Sequence, residues 1–131
     1  MTSVTNYSVL LIDSIEANYD LVRHELYMND ENYPTNFTVQ WEKSFLTGSS
    51  AIYENVPGCI LLNLNLVDSE GIQTFREIKK IAQDIPIIAF ADQENPSLAH
   101  KIIDLGAQDY LAIERFPGFL YQSVNNAIQR Q

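Results

Sequence analysis

A short run of apolar residues near the middle of the chain, residues 59–62 (Cys-Ile-Leu-Leu), most constrains how this sequence can fold. Pro57 and Gly58 bound it on one side, and polar residues begin at Asn63 on the other. A continuous apolar run of this length is typical of a strand buried on both faces, as found inside a parallel sheet. In open α/β sheets, ligands bind beyond the carboxyl ends of such strands. The sequence therefore predicts that Asn63 lies at the functional end of a central strand.

Four further segments predict strands. Residues 9–12, 86–90 and 110–113 are apolar runs like the first. Between residues 37 and 41, Phe, Val and Trp alternate with polar residues, which is typical of an edge strand with only one well-buried face. We therefore expect five strands, with the alternating one at an edge of the sheet.

Helical patterns separate these strands. Apolar residues recur at helical spacing in four segments, which are residues 15–26, 72–82, 96–105 and 116–128. Residues 44–55 are predicted to contain a shorter helix, with Gly48 near its start. Residues 29–36 are polar and include a proline, so they are predicted to form a loop.

Residues at the helix ends sharpen these predictions. Ser14 is placed to cap the first helix, and Ile15 begins its apolar face. Asn95 is placed to cap the fourth helix, and Leu105 is expected to face the core. Pro117 is expected to begin the last helix.

Strands that alternate with helices predict a doubly wound parallel sheet. Each parallel pair needs a crossover, and right-handed crossovers place helices on both faces. The 131 residues fit a single α/β domain spanning residues 1–131. A hydrophobic fraction of 46% with 19% charged residues is ordinary for a globular domain and excludes a disordered chain.

Charge and cysteine content exclude several classes of function. The net charge of −9, with 8 scattered Lys and Arg residues, disfavours nucleic-acid binding, which requires clustered cations against the phosphate backbone. The single cysteine, Cys59, excludes an internal disulfide and is expected in the core. No apolar run is long enough for a signal peptide or a membrane span, so we expect a cytoplasmic protein with no membrane contact.

Four segments, taken together and in order, resemble the receiver domain of two-component response regulators. They are Asp13-Ser14, residues 61–66 with Gly71, residues 85–88, and residues 106–111. The resemblance extends through essentially the whole chain at the right spacings. It implies the flavodoxin-like, CheY-like fold, in which the five strands have the order 2-1-3-4-5.

The resemblance also implies a chemistry, which is phosphoryl transfer from a histidine kinase to an aspartate at the end of the third strand. Receivers use a pair of acids after the first strand to hold Mg²⁺, a Thr or Ser after the fourth strand, and a Lys after the fifth. The carboxylate is needed to form the acyl phosphate, the cation offsets its charge, and the hydroxyl and Lys bind phosphoryl oxygens.

Carried over residue by residue, this pattern implies a pocket formed by Asp13, Ser14, Asn63, Ala91 and Ile113. Asn63 takes the phosphoacceptor position, and its amide cannot act as the carboxylate nucleophile. Residues 59–67 contain no Asp or Glu, so no shift of register supplies one. Ser14, Ala91 and Ile113 replace the second metal acid, the hydroxyl and the Lys. The pattern therefore predicts a degenerate pseudo-receiver that accepts no phosphate.

Only Asp13 retains its family identity, and one carboxylate beside an amide is at most a weak remnant of a Mg²⁺ site. We therefore predict no metal, no cofactor and no enzymatic activity. Simpler interpretations of the replacements stand beside this one. Ser14 then serves as a helix cap, Ala91 and Ile113 as additional core, and Asn63 as a hydrogen-bonding group suited to a site without cations.

The same resemblance implies a partner surface. Receivers usually bind partners through the fourth helix, the fifth strand and the fifth helix, which here are residues 95–106, 110–113 and 116–128. Aromatic residues crowd the start of the last helix, and those that face outward suit a protein interface. They are Phe116, Phe119 and Tyr121. The expected partner is a signalling protein such as a histidine kinase or an output domain, or a second copy of the chain.

Tyr110 takes the position of the family's switch aromatic, whose placement follows phosphorylation through the hydroxyl that Ala91 lacks. Motion of Tyr110 then depends on a partner. Alternatively, Tyr110 is an edge-strand aromatic with its hydroxyl in water.

Two other functions stay open at this point. The less charged pocket rim around Asp13 and Asn63 suits a small-molecule sensor, because apolar clefts with a few polar groups are typical ligand sites. A working phosphoacceptor is the third alternative.

Overall fold

The computed structural model of the chain describes residues 5–27 and 35–129. Within these residues, the main sheet is parallel and has the order β2-β1-β3-β4-β5, which confirms the predicted topology. Its strands are β1 (Thr5–Ile12), β2 (Thr35–Glu42), β3 (Cys59–Asn63), β4 (Ile87–Ala91) and β5 (Asp109–Ala112). β2 is an edge strand as predicted, with Phe37 and Val39 buried on one face.

Within the same residues, five α-helices pack against the sheet. They are α1 (Glu16–Tyr27), α2 (Phe45–Glu54), α3 (Ile72–Ala82), α4 (Pro96–Asp104) and α5 (Phe116–Gln129). A short antiparallel hairpin, Asn65–Leu66 with Ser69–Glu70, follows β3, and a 3-10 turn, Ile113–Arg115, follows β5. Most of the loop predicted at residues 29–36 lies outside the described residues, and its last two residues belong to β2.

Alternate residues of the strands face opposite sides of the sheet, and both sides are buried. In β1, Val9 and Leu11 lie in the apolar cluster formed with α1 and α5. Leu10 and Ile12 lie in the cluster formed with α2, α3 and α4. β3 is buried along its whole length. This two-sided burial confirms the doubly wound fold with helices on both faces, and it explains why the strands are unbroken apolar runs in the sequence.

Side chains at the helix ends confirm one predicted cap and correct another. The Asn95 side-chain oxygen accepts the Leu98 N–H at 3.1 Å, so α4 is capped as predicted. Ser14 does not cap α1, because its hydroxyl bonds to backbone groups of two other loops. Ile15 and Leu105, both predicted to face the core, are 45% and 36% exposed. Each lies just outside its helix, where the helical period no longer determines the direction of the side chain.

The last helix begins differently from the prediction. Pro117 and Gly118 lie within α5, but their φ and ψ angles are −61° and 120°, and 89° and −17°. These are the angles of a type II turn, which favours Pro at its second position and Gly at its third. Regular helix therefore starts after Gly118 rather than at Pro117.

α2 approaches β1 closely at Gly48. A Cβ atom at this position would lie 2.7 to 2.9 Å from side-chain carbons of Ile12, which is fully buried. The absence of a side chain at Gly48 therefore sets the distance between this helix and the centre of the sheet.

We expect Gly48→Ala to destabilise the fold by about 1–3 kcal/mol, because overpacking against Ile12 outweighs a gain in helix propensity of about 1 kcal/mol. Urea unfolding of the purified variant measures this difference. Ser50→Ala, at an exposed position of the same helix, is the control and should change stability by less than about 0.5 kcal/mol. A Gly48→Ala variant as stable as the wild type would show that α2 moves away from β1 without cost.

Candidate functional site

The carboxyl ends of β1 and β3 meet at one edge of the sheet and bring Asp13 beside Asn63. Ile12 pairs with Leu62 in the parallel register, so the residues that follow them occupy neighbouring positions. The side chains of Asp13 and Asn63 are buried, with exposed fractions of 0% and 2%. Polar groups buried to this extent need hydrogen-bond partners. Both residues find them in each other and in the surrounding loops.

N–H donors surround the Asp13 carboxylate. Its Oδ1 accepts the Ile15 backbone N–H at 2.9 Å and the Asn63 side-chain Nδ2–H at 3.2 Å. Its Oδ2 accepts the Asn18 side-chain Nδ2–H at 2.8 Å. Asn18 is a site residue that the sequence patterns did not predict, and its one signal was an amide on the buried side of α1. We call Asp13, Asn18 and Asn63 the polar centre.

Asn63 uses both ends of its amide. Nδ2 donates to Asp13, and Oδ1 accepts the Asn65 backbone N–H at 2.8 Å. These bonds fix the orientation of the amide, because a flipped amide would place oxygen against a carboxylate and nitrogen against a backbone N–H. Asn63 thus joins the end of β3 to Asp13 and to the hairpin that follows.

Burial raises the pKa of Asp13 above its usual range, because the buried carboxylate loses its water. The hydrogen bonds from Ile15, Asn18 and Asn63 favour the charged form and lower the pKa, but they do not offset burial. The negative charge of Asp92, in the loop after β4, raises it further. Among the described residues, no Lys or Arg forms an ion pair with Asp13.

Ser14 connects three loops at the same edge of the sheet. Its Oγ donates to the Lys43 backbone oxygen at 2.6 Å and accepts the Val67 N–H at 3.1 Å. Asp68 strengthens the connection, since its carboxylate accepts the first two N–H groups of α2 at 2.7 and 3.1 Å. The position that the resemblance assigns to a metal-binding acid is therefore occupied by a neutral hydroxyl that joins the loops directly.

Ala91 and Ile113 bring no polar side chain to this edge. Ala91 ends β4, is 8% exposed and pairs with Ala112 of β5. Ile113 is half-buried against the apolar cluster on the α1 and α5 side of the sheet. It belongs to the 3-10 turn and not to β5, which corrects its predicted place in the strand.

The donors at this edge are a poor fit for a divalent cation. Mg²⁺ takes oxygen ligands in a near-octahedral arrangement and favours carboxylates. Both Asp13 oxygens already accept N–H bonds, and Asn63 directs its N–H toward Asp13. The residues that the structure describes contain no group of three or more His, Cys, Asp or Glu side chains that could hold a metal ion. A cation at Asp13 would therefore compete with N–H donors for both carboxylate oxygens.

Trp41, the one tryptophan of the sequence, bonds to the same centre. Its Nε1 donates to the Asp13 backbone oxygen at 2.7 Å. The indole stacks on the Tyr19 ring, with centroids 4.4 Å apart. Lys43 Nζ lies 4.9 Å from the Trp41 centroid, and Arg23 Cζ lies 5.1 Å from the Tyr19 centroid. The alternating pattern of β2 places Trp41 on the same face as Phe37 and Val39, but it does not predict this bond to a residue 28 positions away.

Tyr110 has a partner within the protein. Its hydroxyl donates to the Gln93 backbone oxygen at 3.2 Å, which ties β5 to the loop before α4. Partial burial, and then the negative charge of Glu94, raise the pKa of Tyr110 above its usual value. The interpretation of Tyr110 as an edge-strand aromatic with its hydroxyl in water is therefore incomplete, because the hydroxyl also bonds to the protein backbone.

Two of the three aromatic residues at the start of α5 do not face the predicted partner surface. Phe116 is fully buried and packs edge-on against Phe90, with ring centroids 5.1 Å apart, so its assignment to that surface is wrong. Tyr121 is half-buried and packs edge-on against Phe37 of β2. Because β2 and β5 are opposite edges of the sheet, Tyr121 lies on the side of α5 away from β5, and its assignment is also corrected.

Phe119 faces outward, with 53% of its surface exposed. The Arg115 guanidinium lies 5.8 Å from its ring centroid and forms an ion pair with Glu94. Arg115 and Glu94 also line a cleft of about 300 Å³ between α4 and β5, together with Tyr110. Of the predicted aromatic contacts, Phe119 and Tyr110 are thus the two placed on the α4, β5 and α5 side.

Comparison with known families identifies this architecture. The family described as "Response regulator receiver domain" matches residues 9–114 of the chain. The chain belongs to this family. Among the described residues of this receiver, no helix is long and apolar enough to cross a membrane.

This receiver is similar to the luminescence regulatory protein LuxO of Vibrio campbellii. The two are 33% identical over 87 residues, which cover 64% of this chain and 19% of LuxO. The chain therefore corresponds to about one fifth of the length of this curated relative.

Solved receivers have the same fold. A LuxR-family response regulator from Aurantimonas sp. matches with a TM-score of 0.81 and 16% identity, over 97% of this chain and 88% of that one. The response regulator Rcp1, solved in its Mn²⁺-bound form, matches with a TM-score of 0.71 and 23% identity, over 92% and 90%. At such identities the likeness shows the fold alone.

The raised pKa of Asp13 determines the sign of a pH effect on stability. Because the folded state binds this proton more tightly than the unfolded state, the contribution is fully present below the unfolded pKa and is lost as pH rises through the folded pKa. We expect the stability of the wild type, measured relative to non-titrating Asp13→Asn, to fall between acid and neutral pH. Urea unfolding across a pH series measures this difference.

Glu16→Gln is the control, because it removes a carboxylate from an exposed position of α1 and leaves the buried Asp13 unchanged. A difference between wild type and Asp13→Asn that stays constant across the pH series would contradict the expected shift at Asp13.

Proposed function

We propose that this receiver is a pseudo-receiver, which acts in cytoplasmic two-component signalling through protein contacts and accepts no phosphoryl group. The hydrogen bond from Asn63 Nδ2 to Asp13 Oδ1, at 3.2 Å, carries the proposal. It places an N–H donor where receiver chemistry needs a carboxylate nucleophile. Residues 59–67 contain no Asp or Glu that could act instead.

The electrostatics of the polar centre support the same proposal. Two carboxylates a few Å apart in a buried site cannot both ionise unless a cation lies between them. The Asn63 amide removes this requirement, because it offers Asp13 a donor instead of a second negative charge. The Mn²⁺ of Rcp1 is a property of that protein. We infer that the present chain does without such an ion, since three N–H groups already donate to the Asp13 carboxylate.

We further propose that partners bind the surface formed by α4, β5 and α5. Phe119 is exposed on α5 beside Arg115, and Ile103 of α4 is 44% exposed. Aromatic and Arg side chains are enriched among the residues that dominate binding energies. The partner is then a signalling protein such as a histidine kinase or an output domain, or a second copy of this chain.

A phosphorylation assay distinguishes the pseudo-receiver from a working receiver. The wild-type chain is incubated with acetyl phosphate and Mg²⁺, and its intact mass is measured. We expect no phosphoryl adduct, because Asn63 cannot form an acyl phosphate. A receiver with aspartate at the acceptor position, treated in parallel, verifies the phosphoryl donor. An adduct on the wild-type chain would overturn the proposal.

Asn63→Asp tests whether the rest of the pocket has also lost its function. We expect this variant to stay unmodified or to react slowly, because Ser14, Ala91 and Ile113 are unchanged. It should also be less stable than the wild type at neutral pH, and Mg²⁺ should raise its melting temperature more, since the new carboxylate faces Asp13. Rapid, complete modification would mean that Asn63 alone prevents phosphorylation.

The partner surface is tested with Phe119→Ala, which removes the exposed ring without touching the core. Affinity capture with quantitative mass spectrometry should show recovery of the partner reduced by about tenfold, as for a central interface residue. Leu46→Ala, at a position 69% exposed on α2, is the matched control. Equal recovery by wild type and Phe119→Ala would place the interface on another surface.

A further inference from the structure

An apolar cleft of about 290 Å³ lies between the ends of α2 and α3. α2 ends shortly before β3 begins, and Ile85, which lines the cleft, precedes β4 by two positions. The cleft is therefore at the amino ends of the strands. Asp13 and Asn63 lie at the carboxyl ends of the strands, so the polar centre and the cleft are at opposite ends of the parallel strands.

The cleft combines a buried base with exposed apolar edges. Ile52 and Ala82, each 3% exposed, form its base. Tyr53 and Val56, which are 74% and 68% exposed, form its edges. Single exposed apolar residues are ordinary on protein surfaces, whereas larger exposed apolar patches mark interaction sites. Two exposed apolar residues beside an apolar cleft make it a candidate binding surface.

One carboxylate lines this cleft, and a second adjoins a lining residue in the sequence. Glu54 is next to Tyr53, and Asp84 lines the cleft itself. Among the described residues, neither carboxylate takes part in an ion pair or a hydrogen bond. Of the nearby lysines of α3, Lys79 donates its Nζ–H to the backbone oxygen of Gln83, which precedes Asp84, at 2.9 Å, and Lys80 pairs with Glu77 of its own helix at 3.4 Å. Among the described residues, neither lysine forms an ion pair with Glu54 or Asp84.

We propose that the cleft binds a cationic amphipathic segment of a partner protein. An apolar side chain of that segment fills the cleft, and its Lys or Arg residues lie beside Glu54 and Asp84. The ring of Tyr53 offers a face to the same cations. The net charge of −9 favours encounter with a cationic partner over a longer range.

A peptide segment fits this cleft better than a small molecule does. Its volume, about 290 Å³, is at the lower limit of small-molecule sites. A compound of that size would leave the exposed surfaces of Tyr53 and Val56 uncovered, whereas a helix laid across them would cover both. This proposal does not depend on the loss of phosphorylation, because the cleft is remote from Asn63.

The probe for the test is a fluorescein-labelled synthetic peptide of Lys and Leu in an amphipathic helical pattern. A peptide of Glu and Leu with the same pattern is its charge-reversed counterpart. Fluorescence anisotropy with the full chain should show binding of the Lys/Leu peptide only. The double substitution Tyr53→Ser with Val56→Ser should weaken this binding by about tenfold or more. Glu54→Gln with Asp84→Asn should weaken it too and reduce its dependence on salt.

Leu46→Ser is the matched control, because it removes an exposed apolar residue at the opposite end of α2 and should leave the affinity unchanged. Thermal unfolding verifies that each variant is folded. Equal affinity of the wild type and the Tyr53 and Val56 variant would mean that net charge alone attracts the peptide, and the proposal would fail. NMR shift changes centred away from the cleft would overturn it as well.

The oligomeric state tests the other occupant of the cleft. If light scattering shows a dimer that the same double substitution at Tyr53 and Val56 dissociates, the cleft contacts a second copy of the chain and the proposed cationic partner is wrong. We expect the wild type and this variant to have the same mass in solution. None of these measurements involves phosphorylation, so their failure leaves the assignment of a pseudo-receiver untouched.

Discussion

A buried carboxylate without a cation beside it is the constraint around which the carboxyl edge of the sheet is built. Such a group is costly unless donors replace the water that it has lost. Asp13 accepts N–H bonds from Ile15, Asn18 and Asn63, which belong to the loop after β1, to α1 and to the end of β3. Because each donor comes from a different element, compensating the charge also holds these elements together. The raised pKa of Asp13 shows that the compensation is incomplete.

The loops at this edge are joined in the same way, by neutral groups of the chain itself. The Ser14 hydroxyl links the backbone at Lys43 and Val67, and Asp68 links the loop after β3 to α2. These hydrogen bonds favour a single arrangement of the loops at the carboxyl ends of the strands. A partner changes that arrangement only by binding an alternative one more tightly, since a ligand shifts an equilibrium by no more than its differential affinity.

Most of the fold could be predicted because its signals are local. Residues 59–62 and 9–12 are unbroken apolar runs since both faces of the sheet are covered, and the Asn95 cap spans a single helical turn. The wrong predictions concern the directions of side chains near helix ends, which depend on backbone geometry that the local sequence pattern does not determine. The Pro117-Gly118 turn rotates the chain between buried Phe116 and exposed Phe119.

The polar centre was less predictable, because the hydrogen bond between Asp13 and Asn63 joins residues far apart in the chain. Asp13 and Asn63 are 50 positions apart. The apolar run predicts Asn63 at the end of a central strand, but only the family resemblance places it in a pocket with Asp13. Trp41 had no such guide, although it donates to the Asp13 carbonyl at 2.7 Å. As the chain's one tryptophan, Trp41 is the single source of indole fluorescence, and its surroundings include the Asp13 carbonyl, the Tyr19 ring and Lys43. Titrations with ions or proteins that change the surroundings of Asp13 can therefore be followed by the fluorescence of Trp41, which is hydrogen-bonded to that residue.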